Sequence, residues 1–279
     1  MTTTQTSDPT VTSLSSFGQW PSFSNDGSTV VFSSGHSLHT VSSAGNDATV
    51  LYQGSAAYSA SRADWSWSPT TIAFTMNMDA PEGPRAVTWT IDSDGSNAGA
   101  LNYSGGLRDT YYPSWFEDLK SIVAMDGGDD KHVRLYQFDI SAGTATALTD
   151  YEDITAGRPS VNPDGTVVAF AGNKGPFSQQ DNQIWSVDIA SGDITQLEPG
   201  QGRSPNWSPD GKWILFESDR SGTYQLYVMP AGGGTPVQLT DGSSGATHGE
   251  WNRQQTSIVF QAGRSGISTF PVPSAYQSA

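Results

Sequence analysis

The chain has no cysteine among its 279 residues. That excludes disulfides, thiolate metal sites and a cysteine nucleophile. No run of apolar residues is long enough for a membrane-spanning helix, so no membrane insertion is expected. Basic residues are scarce: 13 Lys and Arg stand against 28 Asp and Glu, a formal net charge of −15. Such a surface repels nucleic-acid phosphates, and nucleic acid is excluded as a partner. No long helix period is readable, no Gly-rich phosphate loop opens a helix, and no Gly-x-Ser-x-Gly elbow is present. Met1 to Pro9 carries neither a basic nor an apolar stretch, so it does not read as a secretory leader. The expected location is cytoplasmic for the sequence as written, and periplasmic or secreted if a leader was removed.

What the chain does have is short apolar runs punctuated by turns. The clearest is Ser204-Pro205-Asn206-Trp207-Ser208-Pro209-Asp210-Gly211-Lys212-Trp213-Ile214-Leu215-Phe216. It reads as a strand ending at Trp207, a Pro-Asp-Gly turn and a second strand. A loop, a strand at Tyr224 to Met229, a turn and a strand at Pro236 to Thr240 complete a four-stranded unit. One such sheet cannot cover both its faces, so it needs neighbours of its own kind.

Those neighbours recur along the chain. The anchor at Trp207 is matched by Phe23, Trp67, Trp115, Val161 and Trp251. The intervals are 67−23 = 44, 115−67 = 48, 161−115 = 46, 207−161 = 46 and 251−207 = 44. A period in the mid-forties with four strands per period is that of a propeller blade. The predicted fold is therefore all-β: a six-bladed β-propeller of four antiparallel strands per blade. Blade six lacks an outer strand after Val272, and Thr10 to Leu14 is expected to supply it and close the ring. The expected organisation is a disordered tail over 1–9, one propeller over 10–273 and a short tail over 274–279. Trp67, Trp115 and Trp207 are expected to be buried between blades.

The form Pro-x-Trp-Ser-Pro-Asp-Gly, then Phe-x-Ser-Asp-Arg-Ser-Gly, then Gln-Leu-Thr, in blade five resembles the TolB-like propeller repeat. The resemblance implies the fold, and it implies function only broadly, because the family includes partner-binding proteins, lyases and peptidase-associated domains.

Candidate site residues come from the places where the repeat does not repeat. Three positions before the six anchors stand Trp20, Asp64, Tyr112, Arg158, Ser204 and His248, all different, with Tyr111, Arg203 and Glu250 beside them. They enter the innermost strands at one end of the central channel. The candidate ligand-binding set is Trp20, Asp64, Tyr111, Tyr112, Arg158, Arg203 and His248. Two guanidiniums and several aromatic rings suit an anionic or sugar-like ligand; the competing reading is a solvated rim free to vary. The expected role is non-catalytic binding of a protein segment or small ligand at this mouth, as a monomer without cofactor. The alternative is a lyase or cyclase without a covalent nucleophile, with His248, Glu250, Asp64 and Arg158 as its acid–base groups. A lectin ranks last, since a site in each blade gap calls for matching residues in every blade.

Metal is not expected. His36, His39, His132 and His248 do not fall at matched blade positions, whereas the resemblance to metal-dependent lyases calls for several channel histidines. Asp92-Ser93-Asp94-Gly95 and Asp126-Gly127-Gly128-Asp129-Asp130 lack the full calcium-loop spacing and read as turns. Two lengthened loops, at Met76 to Arg85 and Asn173 to Asn182, are placed on the same face as the candidate mouth.

Overall fold

Short runs of branched and aromatic residues separated by Gly, Asp and Pro turns give a computed structural model of six four-stranded antiparallel sheets. It describes residues 10–65, 67–79, 86–101, 109–129, 132–150, 152–175 and 182–278, with Gly128, Asp129 and His132 by their backbone alone. The proposed tail over 1–9 and most of both lengthened loops lie outside the described residues. So does Asp130.

The innermost strands of the six blades are Gln19–Phe23, Tyr58–Asp64, Thr110–Trp115, Thr155–Val161, Arg203–Trp207 and Ala246–Trp251. Each pairs with the strand that follows it, and blades one to five are built from consecutive strands. Blade six takes its outer strand from the other end of the chain. Thr12–Ser15 pairs antiparallel with Ile267–Pro271, matching Thr12 to Thr269 and Ser13 to Ser268. The closing strand starts two residues later than the sequence suggests. Leu14 is its one buried side chain, packed with Phe23, Val30 and Phe32.

The second strands carry the core. Phe32, Phe74, Phe170 and Phe216 are fully buried at matched positions and fill the wedges between sheets. Aromatic packing of this kind contributes both area and edge-to-face geometry. The anchors mostly behave as read: Phe23, Trp115, Val161 and Trp251 are buried. Blade two is a correction. Its innermost strand ends at Asp64, and the buried anchor is Trp65, not Trp67. The intervals become 65−23 = 42 and 115−65 = 50. Trp67 is only partly buried and lines the channel, as does Trp207. Both still pack against clusters that join two blades, Trp67 with Ala73, Trp115 and Ile122 and Trp207 with the cluster of Ala169, Ile184, Ile214 and Phe216, but less deeply than Trp115.

Among the described residues, five of the six blade junctions carry the same hydrogen bond. The residue before the anchor of one blade accepts from the anchor N–H of the next. Ser22 Oγ accepts from Trp65 N at 2.9 Å, and Asp64 Oδ2 from Trp115 N at 2.7 Å. Ser160 Oγ accepts from Trp207 N at 3.3 Å, and Asn206 Oδ1 from Trp251 N at 3.2 Å. Glu250 Oε1 accepts from Phe23 N at 2.9 Å, carrying the series across the junction of the last and first blades.

Candidate functional site

Every innermost strand carries a bulge at the same place. The ladder register shifts between Gln19 and Ser22, Ser61 and Asp64, Tyr111 and Ser114, Gly157 and Ser160, Arg203 and Asn206, and Thr247 and Glu250. Each bulge holds one residue with positive φ: Trp20 (51°), Arg62 (53°), Tyr112 (54°), Arg158 (52°), Ser204 (51°) and His248 (52°). A left-handed backbone costs an L-residue on the order of 1–2 kcal/mol, and glycine would avoid that cost. None of the six is glycine. The strain repeats at six side-chain-bearing positions around one ring, held by the bulge that every innermost strand carries.

The six residues form a closed collar, linked by direct side-chain contacts except at one step, where Glu217 bridges Ser204 and His248. The Arg62 guanidinium lies 4.9 Å from the Trp20 ring and 4.5 Å from the Tyr112 ring. Arg158 lies 5.4 Å from the other neighbour side of Tyr112, and its Nη1 donates to Ser204 Oγ at 3.0 Å. Glu217 bridges the next step: its Oε1 accepts from Ser204 Oγ at 3.1 Å and its Oε2 from His248 N at 2.8 Å. Trp20 Nε1 donates to His248 Nε2 at 3.0 Å and completes the circle.

Two collar features escape a reading of the sequence. Arg62, not Asp64, is the blade-two member; the Trp65-Ser66-Trp67 pair of indoles put the anchor two residues late. Asp64 sits one layer deeper, as an inter-blade staple on the cavity wall. The other is Glu217, fully buried on the second strand of blade five. Its ladder partner is Arg203, and the matched positions in other blades hold Ser33, Thr75, Met125, Ala171 and Gln261. A lone acid in that neutral series was the available signal.

Glu217 changes the electrostatics of the mouth. It accepts from Arg158 Nη1 at 3.2 Å and from Arg203 Nε at 2.5 Å, so both arginines are paired internally. Burial alone would raise its pKa, but its neighbours His248, Arg203 and Arg158 more than offset that and hold it below the usual carboxylate value. Arg203 also lies over the Tyr224 ring at 3.7 Å. Arg62 differs: among the described residues it has no carboxylate partner, and its Nε is buried without a hydrogen bond. It also lies 5.8 Å from the Tyr111 ring. Burial pushes the Tyr112 phenol up, yet the charges of Arg158 and Arg62 pull it below its ordinary value.

The acid–base candidates are all engaged. His248 is driven down to about 4, by burial first and then by the positive charges of Arg158, Arg203 and Arg62 against the pull of Glu217. It is neutral at ordinary pH. With Nε2 accepting from Trp20, the proton sits on Nδ1, which faces Thr247 Oγ1 at 3.2 Å. Glu250 is pushed well above the carboxylate range by burial and by the charge of Asp64, and it holds Phe23 N–H and Ser22 Oγ. Among the described residues no three of His, Asp and Glu converge as a metal site. His39 stacks on Phe32 and His36 is exposed. The His132 side chain lies outside what is described.

The collar side chains themselves line a cavity of about 140 Å³ in the channel. Its lining also includes Asp64, Ser114, Ser160, Asn206, Glu250, Trp67, Trp251 and Arg253.

Comparison with known proteins places the chain. The family model described as the TolB beta propeller domain matches residues 69–275. An uncharacterized protein of Agrobacterium fabrum is 36% identical over 42% of this chain and 37% of its own length. The Tol-Pal system protein TolB of Francisella tularensis is 34% identical over 42% of this chain and 26% of its own length. The chain thus spans well under half the length of these relatives. Among solved structures, an oligogalacturonate lyase from Vibrio parahaemolyticus superposes with a TM-score of 0.58. It covers 96% of this chain and 93% of that one at 13% identity, a likeness of fold alone. The chain belongs to the TolB beta-propeller family.

Proposed function

We propose that this chain is a non-catalytic binding propeller whose collar receives a protein segment or small ligand bearing a carboxylate. The observation that carries the reading is Arg62. It is a guanidinium held between two aromatic rings, lacking an acidic partner among the described residues and keeping a buried, unused N–H. A ligand carboxylate would supply the missing charge, and the flat faces of Trp20 and Tyr112 would flank its apolar part. A relative named for the Tol-Pal system is by that name part of a protein assembly, which favours a protein segment as the occupant.

The enzymatic alternative asks for a free base. His248 Nε2 is occupied by Trp20, Glu250 holds two donors and Asp64 holds the Trp115 N–H. A base already engaged in these bonds must first give them up before it removes a proton.

The test is a thermal-shift screen of acidic peptides and small carboxylates against wild type and Arg62→Met. Ligands that raise the melting temperature of wild type should lose that effect in Arg62→Met, while Arg253→Lys should keep it. Replacing Arg158 and Arg203 together is a poorer test, because it strands the buried Glu217. Hits that stabilise Arg62→Met as well as wild type sink the proposal.

A further inference from the structure

The channel has a second end, formed by the turns that follow the innermost strands. Two residues after each anchor stand Asn25, Trp67, Glu117, Pro163, Pro209 and Arg253. This ring is as varied as the collar. It is also lopsided: blades four and five present proline, while the charged and aromatic members lie on the other side.

Arg253 of blade six reaches across this end. Its guanidinium stacks on the Trp67 indole of blade two at 4.0 Å. Its Nη2 donates to Glu117 Oε1 at 2.6 Å, and Glu117 belongs to blade three, directly opposite blade six in a ring of six. Asn25 Nδ2 donates to the Trp67 backbone carbonyl at 2.9 Å. The pair is open to water: the side chain of Arg253 is 32% exposed and that of Glu117 50%. Arg253 Nη1, by contrast, is buried and has no hydrogen-bond partner among the described residues.

We propose that this end of the channel is a second binding site, for a small carboxylate on a flat apolar body, and that Glu117 occupies it in the absence of ligand. Both sites open on the same channel cavity, but this one shares no residue with the collar and rests on different contacts. Three features point to this ligand. A guanidinium stacked on an indole has its in-plane N–H edge free for two parallel bonds to a carboxylate. Glu117 satisfies only Nη2, and the buried Nη1 is the donor that a two-pronged carboxylate would satisfy. Trp67 and Arg253 also line the 140 Å³ cavity, so a flat body lying on the indole has room to enter. Displacement of Glu117 is cheap, because a solvent-exposed ion pair is weakly held.

The test is a titration with benzoate, followed by the Trp67 indole N–H resonance assigned with Trp67→Phe. Benzyl alcohol serves as the uncharged analogue. Benzoate should shift the resonance saturably, and benzyl alcohol should not. Glu117→Gln should tighten benzoate at least fivefold by removing the resident carboxylate. Arg253→Gln should weaken it at least tenfold, and Arg253→Lys, which keeps the charge but not the fork, should fall between. Arg62→Met should leave it unchanged, which separates this site from the collar. The proposal is overturned if Glu117→Gln binds within twofold of wild type, if benzyl alcohol binds as well as benzoate, or if neither wild type nor Glu117→Gln binds. Loss of benzoate in Arg62→Met with Arg253 intact overturns it too, by assigning the anion to the collar. Should Arg253→Gln fail to fold, the Glu117→Gln and benzyl alcohol arms still decide the matter.

Discussion

Glu217→Gln isolates the one buried charge that the collar is built on. The carboxylate is fully buried and takes four donors: Arg158 Nη1, Arg203 Nε, Ser204 Oγ and His248 N. Glutamine keeps the shape but removes the charge and turns an NH2 group toward one set of donors. Breaking one side of a buried ion pair costs roughly 3–5 kcal/mol. Arg158 and Arg203 are 12% and 18% exposed and can recover some hydration, so the lower figure applies, about 3 kcal/mol. At roughly 2 °C per kcal/mol for a chain of this size, the melting temperature should fall about 6 °C. Thermal and urea melts measure it directly. Adding Arg158→Met and Arg203→Met should then recover most of the loss, since an apolar replacement of a whole buried ion cluster is often neutral. A Glu217→Gln protein within about 0.5 kcal/mol of wild type, the scatter of ordinary surface changes, would refute the hub.

Glu250→Gln should behave in the opposite way. Its folded-state pKa is raised, so the folded protein carries a penalty that grows as pH rises above the unfolded carboxylate value. Glutamine removes that penalty, and the variant should match or exceed wild-type stability at pH 8, with less gain at pH 5. His248 is depressed from 6.5 to about 4, so the unfolded chain binds its proton first as pH falls. Stability should therefore drop between about pH 6.5 and pH 4, by up to roughly 3 kcal/mol from this group, and His248→Gln should flatten that slope in urea melts across the range. Leu14→Ala, in the strand that closes blade six, should cost about 2–5 kcal/mol as a large-to-small core change. An unchanged urea midpoint would mean that the strand does not hold the ring.

The fold was legible because a blade repeats its anchors, its Asp-Gly turns and its apolar second strands at fixed spacing. The site was partly legible by the reverse logic, as variation inside the repeat. Trp20, Tyr112, Arg158, Ser204 and His248 were found this way, and all five are in the collar. Arg62 was missed because Trp65 and Trp67 offer two anchors of equal appearance, and only the bulge tells them apart. Glu217 was missed because its importance comes from where a second strand passes behind the rim, a tertiary fact. The far end carries no comparable signal, because each turn there is ordinary when read alone. The contact between Arg253 and Glu117 spans 136 residues and appears only when the ring closes.

That closure has a cost in time. Thr12 finds its ladder partner only at Thr269, a separation of 269−12 = 257 residues. At roughly 5–20 residues per second, synthesis leaves the first strand unpaired for about 13–50 s. Blades one to five can form meanwhile from strands that are neighbours in sequence. Blade six must wait, with the edge of Ile267–Pro271 open and Leu14 unburied. During that interval the growing protein is an incomplete ring with two adhesive ends, and a second copy nearby presents the same strand. The four residues of Thr12–Ser15 thus mark the step at which a nascent chain either seals itself or pairs with its neighbour on the ribosome.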